Sequence, residues 1–457
     1  MLFNDYRFLL LFLPVVLLTF FLFAPRHRRR ELLILASLVF YGYAGIDHAV
    51  VLALGVVWVY VATRSDAVRG SGLRLTAAIA GPLAALFYFK YAGFAVDTLR
   101  LATDGVVGTS FTLFDNVLLP AGISFFTFQM VAFAIDRYRG TIPAAPPLRS
   151  FALYVSFFPQ LVAGPILRFD QVSGAIARLA DFVPTRRDIE AAVGFICLGL
   201  AAKVLGADAL ANVMKPFVAD PIALGLDGAW FVVLGYSFQI YFDFFGYSLI
   251  AIGLGRLFGF HFPDNFRRPY EALNPRDFWR RWHITLSYWI RDYLYLPLGG
   301  NRRYAVNIAV VFALCGLWHG AGWNFVVWGL YHALLVAGYR AVRPAWDRLP
   351  ALLQRLLTFL LVTLGWSLFL YDFEGAAALL QSLAGFGGGT APSPTYGAWL
   401  LLAAVAAVCF GAHFERMALR DDRTGLRAAI YGGGLACLLF AAFVFIDRSQ
   451  TFIYFRF

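Results

Sequence analysis

RFLLLFLPVVLLTFFLFAPRHRRRE, residues 7–31, decides the class of fold. No charged side chain lies between Arg7 and Arg26. A helix needs about 20 mostly apolar residues to cross a hydrocarbon core, and this block approaches that length. The apolar residues form a continuous run, without the alternation of a strand or the single stripe of a soluble helix. The block stops in PRHRRRE, a basic cluster of the kind retained on the cytoplasmic side. No basic region precedes it, since Asn4, Asp5 and Arg7 nearly cancel, and no small-residue cleavage site follows. It therefore reads as a retained span and not as a cleaved leader.

Similar blocks recur along the chain. Hydrophobic residues make up 60% of the 457 and charged residues 14%, against roughly 45–50% and about 25% in soluble proteins. A soluble domain could not bury so much apolar surface, and the many aromatics suit membrane interfaces. The net charge of +11 sits in short loops between apolar blocks, as expected for a polytopic membrane protein and not for a nucleic-acid binder. Cys197, Cys315, Cys409 and Cys437 lie singly in apolar segments. That is neither a disulfide framework nor metal-ligand spacing.

Alternating apolar blocks with loop charge predicts helices at 8–24, 32–44, 48–63, 75–93, 118–136, 188–206, 229–255, 305–318, 321–339, 351–371, 396–413 and 428–446. The two blocks flanking His319 read as spans or as partly re-entrant. Loops 25–31, 64–74 and 137–149 are rich in Arg; 45–47, 94–117 and 372–395 carry few basic residues or none. That alternation puts the N-terminus outside the cytoplasm. Without a transporter-like repeat or an appended soluble stretch, residues 1–457 read as one membrane domain.

Two segments break the pattern. In 150–180, Pro159, Gly164 and Pro165 interrupt FFPQLVAGPILRF and disfavour a straight span. Segment 256–303 holds nine arginines and no lysine. From Asp277 onward, Phe278, Trp282, Leu286, Trp289 and Tyr293 share one helical face, with Arg280, Ser287 and Arg291 roughly opposite. This predicts an amphipathic helix at the cytoplasmic interface with His283 on its flank. Its arginines face either lipid phosphate or the phosphates of an acyl donor.

His319, in GLWHGAGWNFVVWG, is a histidine within an apolar membrane segment. Such a residue is costly unless it faces a hydrated path or a partner. Gly316, Gly320 and Gly322 clear space around it, and Asn324 adds a second polar group. An imidazole can take the proton of an acceptor hydroxyl as it attacks a thioester carbonyl. A structural histidine bonded between helices is the alternative. No GxSxG elbow suggests a serine acyl-enzyme, and no HExxH pair suggests a metal. His27 lies in a basic loop, and His48, His261, His332 and His413 lie near predicted helix ends, which favours structural or interfacial roles. Within 229–255, Gln239, Tyr241, Asp243 and Tyr247 are polar, and Asp243 should face the protein interior. It either orients a catalytic group or joins two helices.

These stretches resemble the bacterial polysaccharide-acetylating branch of the membrane-bound O-acyltransferase superfamily. The likeness runs through FKYAGF from Phe89, LPAGISFFTFQ from Leu119, FPQLVAGPILRF from Phe158 and QIYFDFFGYS from Gln239. It continues in FPDNFRRPY from Phe262, DFWRRWHITLSYWIRDYLYLPLGGNR from Asp277 and LWHGAGWNFVVWG from Leu317. A WH in an arginine-rich segment followed by a WHG is the most specific part. The resemblance implies an all-α polytopic fold, a helical shell of about 11–12 membrane helices around a tunnel, with re-entrant or interfacial helices. It implies His319 and His283 as the active-site pair, the second position being asparagine in many eukaryotic members. Asp277, Arg280, Arg281, Arg291, Tyr241, Asp243, Trp318 and Asn324 become candidates for donor or substrate contact.

The implied donor is an acyl thioester, acetyl-CoA, with no metal and no permanently bound cofactor. The implied setting is the bacterial inner membrane. There the enzyme would work with an exopolysaccharide and an extracytoplasmic, serine-hydrolase-like partner protein. One departure stands out: the alginate type reads GYSD where this chain has Gly246, Tyr247, Ser248 and Leu249. Leucine there looks more like the branch that transfers D-alanine from a carrier-protein thioester. Rival readings are that carrier-protein donor, a transporter or proton path through His319 and Asp243, and a structural subunit of an export complex.

Overall fold

The computed structural model describes residues 1–103, 117–419, 425–448 and 450–453. Among these residues the chain is helical, with no β-strand. In chain order the main helices begin with α1 (Arg7–Phe23), α2 (Arg29–Gly42), α3 (Ile46–Thr63), α4 (Gly72–Ala102) and α5 (Ile123–Arg139). Then come α6 (Leu148–Ser156), α7 (Phe169–Arg178), α8 (Arg186–Val218) and α9 (Leu226–Leu257). Two short helices, α10 (Pro275–Trp279) and α11 (Ile284–Ile290), precede α12 (Tyr304–His319), α13 (Trp323–Trp346) and α14 (Ala351–Leu370). The series closes with α15 (Phe373–Leu383), α16 (Tyr396–Gly411) and α17 (Gly425–Arg448).

All twelve apolar blocks are helical. Seven of them, α3, α4, α8, α9, α13, α14 and α17, are long and apolar enough to cross a membrane. The apolar helices α1, α2, α5, α12 and α16 are shorter. The chain is thus a multi-pass membrane protein. Leu10, Leu11, Val15, Leu18, Leu22 and Phe23 of α1 are exposed, a surface suited to lipid and not to water.

Three expectations are corrected. Helix α4 runs to Ala102 through part of the expected loop 94–117, and 104–116 lies outside the described residues. Helix α15 occupies much of the expected loop 372–395, capped by Asp372, whose carboxylate accepts from Gly375 N at 2.9 Å. The continuous amphipathic helix expected from Asp277 is broken: α10 ends at Trp279 and α11 starts at Ile284. The break falls at His283, whose backbone is left-handed (φ 44°, ψ 57°). In 150–180 the prolines and glycine do interrupt the helix, leaving α6, a turn at Phe158–Leu161, and α7.

Backbone proximity divides the chain into two compact units, Met1–Ile189 with Leu254–Phe262, and Glu190–Gly253 with Pro263–Phe457. In the first, Phe8, Phe12, Phe40 and Phe158 cluster with centroids 5.4–6.2 Å apart. Ser37 donates to Leu33 O at 2.7 Å and accepts from Phe158 N at 3.0 Å, tying α2 to the broken segment. Arg137, fully buried, donates to Thr63 O, Ile142 O and Asp66, so the arginine-rich loops are internally braced.

In the second unit α9 is almost wholly buried. Helices α12 and α13 form a hairpin joined by residues 320–322. Their backbones meet at glycines: a Cβ on Gly316 would come 2.0 Å from Phe325 O, and one on Gly329 would come 2.0 Å from Phe312 O. No side chain fits between them, the small-residue packing that brings membrane helices close.

Gly316→Ala and Gly329→Ala are expected to force the hairpin apart at a cost of about 1–3 kcal/mol each. Gly338→Ala on α13, where a Cβ meets nothing within 4 Å, should be neutral or stabilising. Melting temperatures in detergent test this ordering, and equal values for the three variants would contradict it.

Candidate active site

His319 is the last residue of α12, 2% exposed. After it Gly320 turns to extended backbone, its N–H still bonded to Gly316 O at 3.2 Å. A Cβ on Gly320 would strike the Phe325 ring, so the chain can leave the helix here only as glycine. The imidazole is boxed by aromatic rings: Trp318 at 4.9 Å, Trp328 at 5.1 Å and Phe369 at 5.4 Å between centroids. An aromatic box excludes bulk water while leaving the ring nitrogens as polar atoms at the centre.

His283 is positioned by different means. Its left-handed backbone is one of two such non-glycine residues among those described, the other being Arg268. That conformation is uncommon for a residue with a side chain and marks a site held by its surroundings. Asn265 supplies the hold. Its backbone O accepts from Ile284 N at 2.9 Å, and Arg267 N donates to Arg281 O at 2.9 Å, so the two loop strands are clamped side by side. The Asn265 Oδ1 accepts from Thr285 N at 3.3 Å and from Thr285 Oγ1 at 2.9 Å, and it lies 3.1 Å from His283 Nδ1. The Asn265 Nδ2 donates to Ser248 Oγ on α9 at 3.2 Å. With Oδ1 fixed as the acceptor of two Thr285 donors, the amide orientation is set. Nδ1 of His283 then carries the proton, leaving Nε2 as the lone-pair nitrogen.

The two histidines meet through one indole. Trp318 lies 6.0 Å from His283 and 4.9 Å from His319 between ring centroids. Phe244 of α9 also packs against His283, edge-on at 4.7 Å.

One turn before His319, Cys315 lines a cavity of about 570 Å³. Its apolar lining includes Trp279, Val311, Phe312 and Cys315; its cationic lining is Arg276, Arg280, Arg291, Arg340 and Arg343. Arg291 pairs with Asp292 at 2.6 Å and Arg343 with Asp347 at 3.0 Å. Arg276, Arg280 and Arg340 have no carboxylate within salt-bridge distance among the described residues, although Arg340 lies over the Tyr304 ring. The lining therefore combines about three positive charges that no carboxylate offsets with apolar side chains.

The remaining predicted residues divide by position. Arg280 and Arg291 line the cavity with Trp279. Arg281 instead donates to Asp277 at 3.0 Å, and Asp277 accepts from Leu273 N at 3.1 Å, which stiffens the loop ahead of α10. Asn324 donates to Leu368 O and Tyr371 O, tying α13 to the end of α14. Tyr241 stacks on Phe245 at 5.1 Å and lies 6.2 Å from Trp282, in an aromatic layer beside the His283 loop. Asp243 pairs at 2.6 Å with Lys203 of α8, which also pairs with Asp208 at 2.6 Å.

The aromatic face expected at the membrane surface turns inward, with Phe278, Trp282 and Leu286 buried. His332 is not near a helix end but fully buried in mid-α13, between Trp279 and Trp328. Asn265, Ser248, Thr285 and the α13 arginines Arg340 and Arg343 were missed. Asn265 lies within the quoted FPDNFRRPY, but nothing in its periodicity singles it out. Among the described residues no group of three or more His, Cys, Asp or Glu could hold a metal.

Residues 140–371 match the membrane-bound O-acyltransferase family. The chain is 40% identical over 387 residues to a probable alginate O-acetylase, AlgI, of Azotobacter vinelandii, covering 81% of this chain and 75% of that one. It is 34% identical over 429 residues to a peptidoglycan O-acetyltransferase of Helicobacter pylori, covering 85% and 80%. A teichoic acid D-alanyltransferase of Bacillus subtilis is 30% identical over 241 residues, covering 49% and 60%.

His283 lies in the segment between α9 and α12, and burial pushes its imidazole down to about 3. Between that value and the ordinary value near 6.5, the unfolded chain binds a proton that the native site refuses. The stability present above pH of about 6.5 is therefore lost progressively as pH falls, by about 2 kcal/mol at pH 5. The melting temperature should drop from pH 7 to pH 5, and by less in His283→Asn. Parallel slopes for the two proteins would show that His283 titrates normally.

Proposed function

The chain belongs to the membrane-bound O-acyltransferase family, and on that premise we propose that it moves an acetyl group from acetyl-CoA to a hydroxyl acceptor for polysaccharide O-acetylation. The observation that carries the reading is the paired placement of His283 and His319 against Trp318, with the arginine-lined cavity one helical turn from His319.

His319 acts as general base. Its ring takes the proton of the acceptor hydroxyl as the oxygen attacks the thioester carbonyl. The tetrahedral intermediate collapses with cleavage of the C–S bond, and the imidazolium returns the proton to the departing thiolate. His283 has its Nδ1 engaged at Asn265 Oδ1, a hydrogen bond that fixes its ring. Its Nε2 lone pair suits it to accept a hydrogen bond and orient the acceptor. No acyl-enzyme and no metal enter this scheme.

Charge supports the free nucleotide thioester over a carrier protein. CoA carries about four negative charges at neutral pH, a phosphomonoester plus a pyrophosphate. A carrier's phosphopantetheine arm carries about one. Three uncompensated arginines, backed by two in ion pairs, match the former.

The proposed setting is the bacterial inner membrane, with the N-terminus outside, the donor entering from the cytoplasm, and residues 1–457 acting as one membrane domain. An extracytoplasmic serine-hydrolase-like partner would pass the acetyl group to an exopolysaccharide.

CoA release from acetyl-CoA by the purified protein with its partner should be abolished in His319→Ala and fall at least about tenfold in His283→Ala. Arg280→Gln should raise KM for acetyl-CoA about tenfold with kcat little changed, the signature of lost uniform binding. A fully active His319→Ala sinks the site. Turnover with an acylated carrier protein but never with acetyl-CoA transfers the reading to the carrier-donor branch.

A further inference from the structure

Helix α9 presents two adjacent rows of residues to two different neighbours. Phe244 and Ser248, one turn apart, serve His283: the Phe244 ring stands edge-on to it, and Ser248 holds Asn265. Asp243 and Tyr247, each one residue earlier, serve residues 450–453. Ile453 N donates to Asp243 Oδ2 at 2.7 Å. Lys203 Nζ, already paired with Asp243 and Asp208, donates to Gln450 O at 2.9 Å. Asn212 of α8 donates to Arg448 O at 2.9 Å and accepts from Gln450 Nε2 at 2.8 Å. These bonds set the register of the segment, and they bury Phe452 to 1% exposure. Its ring lies 4.8 Å from Tyr247 and 5.6 Å from Phe244.

A buried lysine between two carboxylates contributes little net stability compared with apolar packing, yet it strongly penalises any arrangement that leaves one charge alone. Such a cluster is suited to fixing what binds it in a single register. Here it fixes 450–453, and through Phe452 it packs against Phe244, the ring that stands edge-on to His283. An imidazole in a left-handed backbone, bonded through Nδ1, still needs its plane held. Phe244 is the ring that abuts it from α9, and Phe452 packs edge-on against Phe244.

We propose that residues 450–453 form a strap that positions His283, with Phe452 acting through Phe244 and the Lys203–Asp243 pair anchoring the strap. Phe452 is a positioning residue and touches no reacting atom. The strap's effect on rate rests on the reading of His283 as an active-site group; its effect on His283 itself does not.

The test uses the full chain in detergent with two readouts. The first is modification of individual histidines by diethyl pyrocarbonate, followed by peptide mass spectrometry. Phe452→Ala should raise the modification rate of His283 about fivefold, a local opening, and leave His319 unchanged. The second is acetyl-CoA turnover with the partner present. Phe452→Ala should lower kcat about tenfold through misorientation, with KM for acetyl-CoA unchanged, and Phe452→Leu should restore most of the loss. If Phe452→Ala does not fold, Phe452→Leu, which keeps a buried apolar side chain but loses the ring against Phe244, should raise the reactivity of His283 in the same direction by a smaller factor. A His283 no more reactive in these variants than in wild type overturns the strap, even if His283→Ala is inactive. Parallel rises at His283 and His319 also overturn it, since that marks general loosening. A fully active His283→Ala together with a reactive His283 in Phe452→Ala keeps the strap and removes the catalytic role of His283.

Discussion

One amide oxygen holds the site together. Asn265 Oδ1 gathers both polar hydrogens of Thr285 and sits at hydrogen-bond distance from His283, while the amide nitrogen reaches Ser248 on the buried helix α9. A polar side chain this deeply buried must satisfy its groups internally, and Asn265 does so by joining three pieces of backbone. The consequences run outward. The loop before α11 can hold a left-handed residue, that residue can be a histidine, and the histidine has one tautomer. Removing the asparagine would free all three at once, because the bonds to Thr285, His283 and Ser248 all run through its one side chain.

Much of this architecture is legible in the amino-acid order. The apolar blocks are long, and lipid tolerates little but helix, so all twelve are where composition puts them. His319 is legible because a titratable group inside an apolar segment has few reasons to be there. Boundaries are less legible: α4 and α15 extend into residues whose polarity suggested loop, since a helix near a membrane surface can carry polar residues without ending.

The break at His283 was not legible. Phe278, Trp282, Leu286, Trp289 and Tyr293 keep helical spacing across it, so periodicity reported one helix where tertiary hydrogen bonds impose two. The inward turn of those aromatics also depends on partners far away in sequence, such as Trp366 beside Trp282. The partner of Asp243 is Lys203, a lysine in an apolar block whose significance appears only when α8 and α9 come together. The cavity arginines come from two stretches separated by α12, so neither stretch alone displays the patch. What the sequence conveys is which residues are expensive to bury; what it hides is which of them are buried against each other.

The lining of the cavity uses arginine throughout, and segment 256–303 holds no lysine. Both residues would supply positive charge, but they differ in chemistry beside an activated acyl group. A lysine amine whose pKa is lowered by neighbouring cations is a nucleophile and would take the acyl group onto itself as an amide, ending its own usefulness. A guanidinium stays protonated and delocalised at any physiological pH and does not attack a thioester. An arginine-only lining can therefore hold a reactive cargo through many turnovers without being acylated by it. Because that charge does not titrate at physiological pH, these arginines would hold an anion equally well as cellular acidity changes.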